Sequence, residues 1–315
     1  MSKPTASALP LGAGEVVLAF DVGGTDMKSA LVDGEGRVLG LSRTPTPLDG
    51  DRTSIAIIGR VAELASDLVS AHPDSRPVAA GLIVPGIVDS ERGVAVYSSN
   101  LGWRDAPLRE LAARALGLPV AFHHDVTAAS WAEHRLGAAR SFDDVVVLII
   151  GTGIAGSLIL GGRPHLGGGF AGEVGHSPVA ETPVCVCGGR GCLEAIASAG
   201  AIARRYASSG GEQVAGARDV LARAEAGDVL AREIWDSAID ALAFAIAQLA
   251  ATVAPEAIVI GGGLSRAGER LFTPLAARVD ERLSFQRRPR LVPAQLGGDA
   301  GLLGAALIAR ESALA

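Results

Sequence analysis

Hydrophobic residues in this chain fall into two kinds of segment that alternate along most of its length. Short β-branched runs, such as residues 144–150, predict strands that are buried on both faces. Apolar residues spaced three and four apart from Trp235 to Val253 predict one face of a long helix that ends before Pro255. Alternating strands and helices of this kind predict an α/β protein with two halves.

The remaining patterns predict the order of the elements. The link Asp33–Gly36 (DGEG) is a strong hairpin signal between two of the first three strands. The expected helices cover 54–69, 107–117, 125–135, 266–282 and a last segment from about 301. The expected strands cover 16–23, 27–33, 37–43, 78–84, 118–123, 144–150, 257–260 and 291–295.

Composition limits the classes of partner. The 315 residues are 49% hydrophobic and 20% charged, which is sufficient for a large core. A net charge of −6 argues against a polyanionic partner, so we expect no nucleic acid. The first residues lack a secretory apolar run, and residues 242–254 are too short to span a bilayer. We therefore expect a cytoplasmic protein with no membrane partner.

A glycine-rich turn, Asp21–Thr25 (DVGGT), comes directly after the first predicted strand. Gly23 and Gly24 let backbone N–H groups approach an anion, and Thr25 adds a hydroxyl donor. Asp21 could hold Mg²⁺ directly or through water. A plain β-hairpin turn is the alternative interpretation.

Two further glycine turns come after strands in the second half. Gly151–Gly156 (GTGIAG) matches a dinucleotide-binding pattern, but a β-like run comes after it where that pattern needs a helix. The turn therefore belongs to a hairpin. The third turn, Gly261–Gly263, could cover an adenine or ribose, or only allow close packing of a helix on a strand.

All three cysteines lie close together in the sequence. Cys185, Cys187 and Cys192, with His176 before them, form a complete tetrahedral ligand set for a structural zinc ion. The alternative is three buried free cysteines and a surface histidine.

The order of these features resembles the ROK family of sugar kinases, which includes bacterial glucokinases and has the actin-like ATPase fold. The resemblance runs from about Val16 to Ala309 and includes GDAGLLGAAL at residues 298–307. It implies two lobes, each a mixed sheet with flanking helices, with ATP and the sugar in the cleft, and usually a homodimer. We expect a disordered tail at 1–14, a small lobe at 15–125 that the C-terminal helix at about 301–315 rejoins, and a large lobe at 126–300 with the zinc-binding segment.

The resemblance also implies roles for individual residues. Asp125, which ends a predicted strand and starts a helix, would be the catalytic base, although an N-cap role alone is the commoner one. Glu194 could instead be a helix-start charge, and Gly86 and Asn100 could be turn residues. The residues expected to bind the sugar are Gly86, Asn100, His124, Asp125, Glu173, His176 and Glu194. Those expected to bind ATP with Mg²⁺ are Asp21, Gly23, Gly24, Thr25, Lys28, Thr152, Gly153, Gly262 and Gly263.

The leading hypothesis is an ATP:hexose 6-phosphotransferase, most specifically a glucokinase. His124 stands where many ROK members have Asn, so kinases for mannose, fructose or an N-acetylhexosamine remain open as alternatives. The sequence also leaves open whether polyphosphate can replace ATP as the phosphoryl donor. Asp26 adds negative charge beside the first turn, where Lys28 is expected to offset it. A non-catalytic sugar-sensing regulator is the alternative class. Repressors of this family carry a helix-turn-helix module, for which about fifteen residues before DVGGT are too few.

Overall fold

The computed structural model describes residues 11–314. The chain divides into two compact units. Of the described residues, unit 1 comprises 11–137, Gly167–Phe170 and 298–314, and unit 2 comprises Ala138–Leu166 and Ala171–Gly297. Residues 1–10 of the expected tail lie outside the described residues.

The elements alternate between strands and helices, as the hydrophobic pattern predicts. The strands are β1 (Val17–Val22), β2 (Asp26–Val32), β3 (Val38–Pro45), β4 (Ala79–Val84), β5 (Ile87–Asp89), β6 (Val94–Ser98), β7 (Trp103–Ala106), β8 (Val120–His124), β9 (Val145–Ile150), β10 (Ile154–Leu160), β11 (Arg163–His165), β12 (Ala257–Gly261) and β13 (Arg290–Pro293). The helices are α1 (Thr53–Ala71), α2 (Leu108–Leu116), α3 (Asp125–Leu136), α4 (Leu193–Ala197), α5 (Ala199–Ser208), α6 (Ala217–Glu225), α7 (Val229–Thr252), α8 (Glu269–Arg282) and α9 (Ala300–Ala313).

The main sheet of unit 1 has the order β3-β2-β1-β4-β8. Its first three strands are antiparallel, and β4 and β8 run parallel to β1. Alternate residues of β1 point to opposite faces: Leu18 and Phe20 join the core under α1, and Val17 and Ala19 join the core under α9. Helix α9 packs so closely on β4 that a Cβ on Gly81 would lie 1.9 Å from a carbonyl oxygen of the helix.

The sheet of unit 2 repeats this arrangement, with the order β11-β10-β9-β12-β13. The pair β9–β10 is antiparallel, and β12 runs parallel to both β9 and β13. Helix α7 supplies much of the core, and Asp228 caps it by accepting a hydrogen bond from the Ala231 N–H at 2.9 Å. The two mixed sheets with flanking helices confirm the predicted α/β class.

Helix α7 is also long and apolar enough to cross a membrane, judged by length and composition alone. However, 56% of its most apolar window is buried inside the structure, as is usual for a core helix. Its burial in unit 2 accounts for its hydrophobicity without a bilayer.

The structure differs from the predicted elements in the start of one helix and in several additional strands and helices. The helix expected from 266 begins only at Glu269, because Gly268 has a φ of +58° and separates it from a short 3₁₀ turn. The three-stranded sheet β5-β6-β7, the strand β11 and the helices α4, α5 and α6 are additional. The predicted hairpin at Asp33–Gly36 is confirmed, with Gly36 at a φ of +82° donating to the Asp33 carbonyl.

Candidate active site

The first glycine turn of unit 1 joins β1 to β2. The Gly23 N–H donates to the Asp26 carbonyl at 2.9 Å, and a Cβ on Gly23 would lie 2.8 Å from that same oxygen. Thr46, just after β3, donates its hydroxyl to the Gly23 carbonyl and its N–H to the Thr25 carbonyl. No sequence pattern indicates this support, because Thr46 is far from the turn along the chain.

Asp21 and Lys28 face each other beside this turn. They are directly opposite in the β1–β2 register, and the Lys28 Nζ lies 3.3 Å from the Asp21 Oδ2. Lys28 therefore pairs with Asp21, and among the described residues it is the Arg43 guanidinium that forms an ion pair with Asp26, at 3.9 Å. Cross-strand pairing outweighs proximity along the chain.

The electrostatic setting of Asp21 is unusual. Burial raises the pKa of Asp21, the Lys28 ammonium lowers it, and the nearby Asp125 carboxylate raises it again. A Cβ on Gly301 would lie 2.7 Å from the Asp21 Oδ2, so the first turn of α9 comes close to this carboxylate. Only glycine leaves room here, and the helix N-terminus brings partial positive charge.

Asp125 is the first residue of α3, directly after β8. His124 occupies the N-cap position and makes no side-chain capping bond. The Asp125 Oδ1 accepts a hydrogen bond from the Val126 N–H at 2.6 Å and lies 3.2 Å from the His124 Nε2. A simple N-cap role for Asp125 therefore does not match its position.

Gly86 and Asn100 also belong to unit 1. Gly86 has a φ of +103°, and a Cβ there would lie 2.2 Å from the Tyr97 carbonyl, so this turn needs glycine for its own conformation. Asn100 is exposed and neighbours the first glycine turn, because a Cβ on Gly24 would lie 3.9 Å from the Asn100 Cβ. The structure thus brings Asn100 to the DVGGT turn.

In unit 2, the second glycine turn joins β9 to β10 as a hairpin. The Gly151 N–H donates to the Gly153 carbonyl, and the Glu194 Oε2 accepts from the Ile154 N–H at 2.8 Å. A Cβ on Gly153 would lie 2.4 Å from this carboxylate oxygen. Glu194 therefore does more than start α4: it fixes the turn that holds Thr152.

The third glycine turn lies next to the second. Gly262 has a φ of +82°, and a Cβ there would lie 2.4 Å from the Ile150 carbonyl at the end of β9. Close packing is therefore one function of this turn. Gly263 has open space around its Cα, which leaves its backbone accessible.

The three cysteines and His176 form one cluster. Their four ligand atoms all lie within 4.8 Å of one another. The Cys187 and Cys192 sulfurs are 3.7 Å apart, and the His176 Nδ1 is 3.8 Å from the Cys185 sulfur. Two thiolates bound tetrahedrally at the usual zinc–sulfur length would be about 3.8 Å apart. The donor set and its spacing therefore fit a tetrahedral metal ion.

The ligand atoms of the cluster differ in their surroundings: a hydrogen bond from the Gly189 N–H lowers the pKa of Cys187. Burial, together with the two neighbouring thiols, raises the pKa of Cys192 to about 12. The His176 ring presents its second nitrogen, Nε2, to the Glu173 Oε2 at 3.9 Å. This orientation leaves His176 able to bind a metal with Nδ1 and a further group with Nε2.

Comparisons with known proteins place these features in one family. The ROK family profile matches residues 17–312. A glucokinase from Thermotoga maritima is 36% identical over 94% of this chain and 97% of its own length. The structure of a ROK hexokinase from Thermus thermophilus matches with a TM-score of 0.83 at 34% identity, covering 94% of this chain and 98% of that one. A ROK family glucokinase from Streptomyces griseus, solved with glucose and AMPPNP, matches with a TM-score of 0.77 at 30% identity, covering 94% and 99%.

Proposed function

This chain belongs to the ROK family, and we propose that it is an ATP-dependent hexose kinase that phosphorylates the 6-hydroxyl of glucose. The observation that carries the proposal is the environment of Asp125. One oxygen of its carboxylate is fixed by hydrogen bonding, and its side chain remains 28% exposed. A substrate hydroxyl can therefore reach the carboxylate. The similar proteins named glucokinase, one of them solved with glucose, support this substrate.

In the proposed reaction, the sugar 6-oxygen attacks the γ-phosphorus as the bond from that phosphorus to the β-phosphate oxygen breaks. The hydroxyl proton passes to Asp125, and ADP leaves. The protein contributes mainly position and charge, because phosphoryl transfer needs little covalent help. Asp21 is the carboxylate suited to hold Mg²⁺, which would neutralise charge on the phosphates.

The proposed sugar and nucleotide contacts are those that the family resemblance implies. In this proposal Gly86, Asn100, Glu173, His176 and Glu194 bind sugar hydroxyls, since each carboxylate can accept two hydrogen bonds. The residues proposed to bind the phosphates and the nucleotide are Gly23, Gly24, Thr25, Lys28, Thr152, Gly153, Gly262 and Gly263. The metal in the Cys/His cluster is proposed to be zinc, with a structural role, because four protein ligands leave it no open position.

Assembly and location are part of the same proposal. We expect a homodimer in the cytoplasm, as the family resemblance implies. Light scattering on the purified protein tests the dimer, and a mass of one chain, 31.9 kDa, would contradict it.

An ADP-release assay tests the reaction. With ATP as donor, we expect turnover with glucose in a panel that includes mannose, fructose and N-acetylmannosamine. Direct detection of the sugar phosphate tests whether polyphosphate can replace ATP, because that reaction would release no ADP. Asp125→Asn keeps the shape of the side chain but removes the base, and should lower kcat by about 10²–10⁴-fold while calorimetry still detects sugar binding. Equal activity in both proteins would remove the base assignment. Absence of transfer to every sugar would remove the kinase assignment.

A further inference from the structure

The three cysteines of the Cys/His cluster differ in their access to solvent. Cys185 and Cys192 are 5% and 2% exposed, whereas Cys187 is an exposed residue. Val186, directly before Cys187, is 91% exposed, so the chain carries this cysteine along the surface. Oxidation of a thiol depends on its exposure, and a second cysteine nearby allows a disulfide to form. Of the three cysteines, Cys187 is therefore the one that a dissolved oxidant reaches first.

The segment between Cys187 and Cys192 brings their sulfurs to a distance of 3.7 Å. Three of its four residues are glycines, and Gly188 and Gly191 have φ angles of +88° and +64°. These left-handed conformations, which glycine adopts without strain, fold the segment back on itself. A Cβ on Gly189 would lie 3.3 Å from the Cys187 sulfur and 3.2 Å from that of Cys192, so a side chain there would crowd both. The glycines therefore allow the two sulfurs to lie side by side.

Closure of this pair into a disulfide needs only a small movement. A disulfide bond is about 2.0 Å long, so the two sulfurs would have to approach each other by about 1.7 Å. A Cβ on Gly188 would lie in open space, so the turn beside Cys187 has room to shift. Cys185 is less free to move, because its N–H and its carbonyl are both hydrogen-bonded within the turn. Its sulfur lies beside the His176 Nδ1, at 3.8 Å. The geometry therefore favours the Cys187–Cys192 pair.

We propose that Cys187 is an oxidation site, at which hydrogen peroxide joins Cys187 to Cys192 and thereby empties the metal site. The Cys187 thiolate attacks one peroxide oxygen and the oxygen–oxygen bond breaks. The sulfur becomes a sulfenic acid, and the other oxygen leaves as water with a proton from solvent. The Cys192 thiolate then attacks the Cys187 sulfur and forms the disulfide, while the sulfenic oxygen leaves as a second water with another proton. The two sulfurs lose two electrons in total, and the peroxide gains them.

The same reaction removes half of the metal ligands. Only Cys185 and His176 would remain, and two ligands do not complete the tetrahedral set that a structural zinc site needs. This part of the inference rests on the proposed function, in which the cluster binds zinc. Glu173 and His176 lie at the same 3₁₀ turn, so loss of the metal would loosen two residues that are proposed to bind the sugar. Oxidation would thus weaken sugar binding, and a thiol reductant with zinc would restore it.

Two measurements on the full-length protein test the inference without any substrate. Hydrogen peroxide is added in the presence of a chromogenic chelator, which measures released zinc, and peptide mapping by mass spectrometry then identifies the disulfide. We expect release of about one ion per chain together with a Cys187–Cys192 disulfide, and reversal of both changes by dithiothreitol with zinc. Val186→Ala, a change of the exposed neighbour, is the matched control and should respond as wild type.

Cys187→His separates the exposed thiol from the metal site. It supplies a ring nitrogen in place of the thiolate, so the site keeps four ligands and should retain its zinc at peroxide concentrations that empty wild type. Equal release of zinc from both proteins would overturn the inference. If Cys187→His does not bind zinc or does not fold, the peptide map of wild type decides alone.

The remaining outcomes also separate the oxidation site from the proposed function. Wild type that keeps its zinc and its reduced thiols would overturn the inference, and so would release of zinc with a disulfide to Cys185 or with none. If purified wild type contains no zinc, the metal proposal fails, and the peptide map still decides whether Cys187 and Cys192 form the disulfide. Failure of the kinase proposal alters neither measurement, because neither depends on turnover.

Discussion

The sheets of the two units have the same strand order, but the units differ in the segment that connects the third strand to the next long helix. In unit 1 the chain passes from β3 through a short 3₁₀ turn into α1. Residues 166–228 separate β11 from α7; Gly167–Phe170 of this segment belong to unit 1, and the rest, which includes the Cys/His cluster, belongs to unit 2. The same framework therefore carries an insertion in one unit and almost none in the other.

This difference determines how the candidate residues are held. Asp21 lies on β1, and Asp125 directly succeeds β8, so both are fixed by strands of a buried sheet. Glu173 and His176 lie on a 3₁₀ turn, and Glu194 lies on the five-residue helix α4. In the cluster segment, the strand-like pairing is limited to the bridges Pro178–Cys192 and Val184–Arg190. In unit 1 the packed core holds the candidate residues in place. The segment that carries the Cys/His cluster has little strand pairing and needs another source of rigidity.

Removal of a metal ligand should give the largest effect and should affect unit 2 alone. Cys187→Ala leaves three ligands, and the metal content should fall from about one ion per chain to near zero. The segment that carries His176 should then loosen, raising the KM for glucose by about tenfold or more. Plasma emission spectrometry and ADP-release kinetics measure the two effects.

Val186→Ala is the matched control, because this side chain lies between two of the cysteines and is 91% exposed. It should keep both metal and affinity. Wild-type protein without bound metal would refute the zinc proposal. An unchanged KM for glucose in Cys187→Ala would show that the segment is rigid without the metal.

The next prediction concerns unit 1, where separate segments of the chain are linked by a buried arginine and not by a metal site. Arg310 on α9 is 7% exposed and donates hydrogen bonds to the carbonyls of Gly12, Glu15 and Asp33 at 2.7–2.9 Å. Arg310→Met keeps much of the side-chain volume but leaves three carbonyls without this donor. We expect a loss of about 3 kcal/mol of the free energy of unfolding.

Thermal melts with metal analysis check this result. Arg114→Met, which removes a surface pair with Glu110 on α2, should change the melting temperature little. The metal content should be that of wild type in both variants. A loss of metal in Arg310→Met would mean that the two units do not respond separately.

Much of this framework could be predicted from the sequence, because its core strands and α7 have strong hydrophobic periodicity. The strands β5–β7 could not, since they have three to five residues each, too few for a period to appear. The cysteine spacing indicated the cluster directly. The pairing of Lys28 with Asp21 was not predictable from spacing, because it depends on the register of β1 with β2.

That pairing gives the third prediction. Lys28→Met removes the cation that lowers the pKa of the buried Asp21, so its pKa should rise further and its charge should become less available to Mg²⁺. We expect the KM for Mg·ATP to rise by about tenfold, with the KM for glucose unchanged. Arg43→Met, which removes the more exposed cation near Asp26, should have a smaller effect. If Lys28→Met and Arg43→Met raised the KM for Mg·ATP equally, the cause would be the total charge around the turn and not the pairing of Lys28 with Asp21.

The smallest effect should be a pH dependence confined to unit 1. Burial would raise the pKa of Asp33, but hydrogen bonds from the backbone and guanidinium of Arg37 and from the Glu35 N–H outweigh it and lower the pKa. A carboxyl group with a lowered folded-state pKa stabilises the fold above its unfolded pKa, near 3.8, and this contribution is lost as the pH falls through the folded value. Asp33→Asn should therefore melt below wild type at pH 7, and the difference should shrink below about pH 4. Asp67→Asn, an exposed change on α1, is the control. If the difference in melting temperature between Asp33→Asn and wild type stays constant from pH 7 to pH 3, the turn is held by its shape instead of its charge.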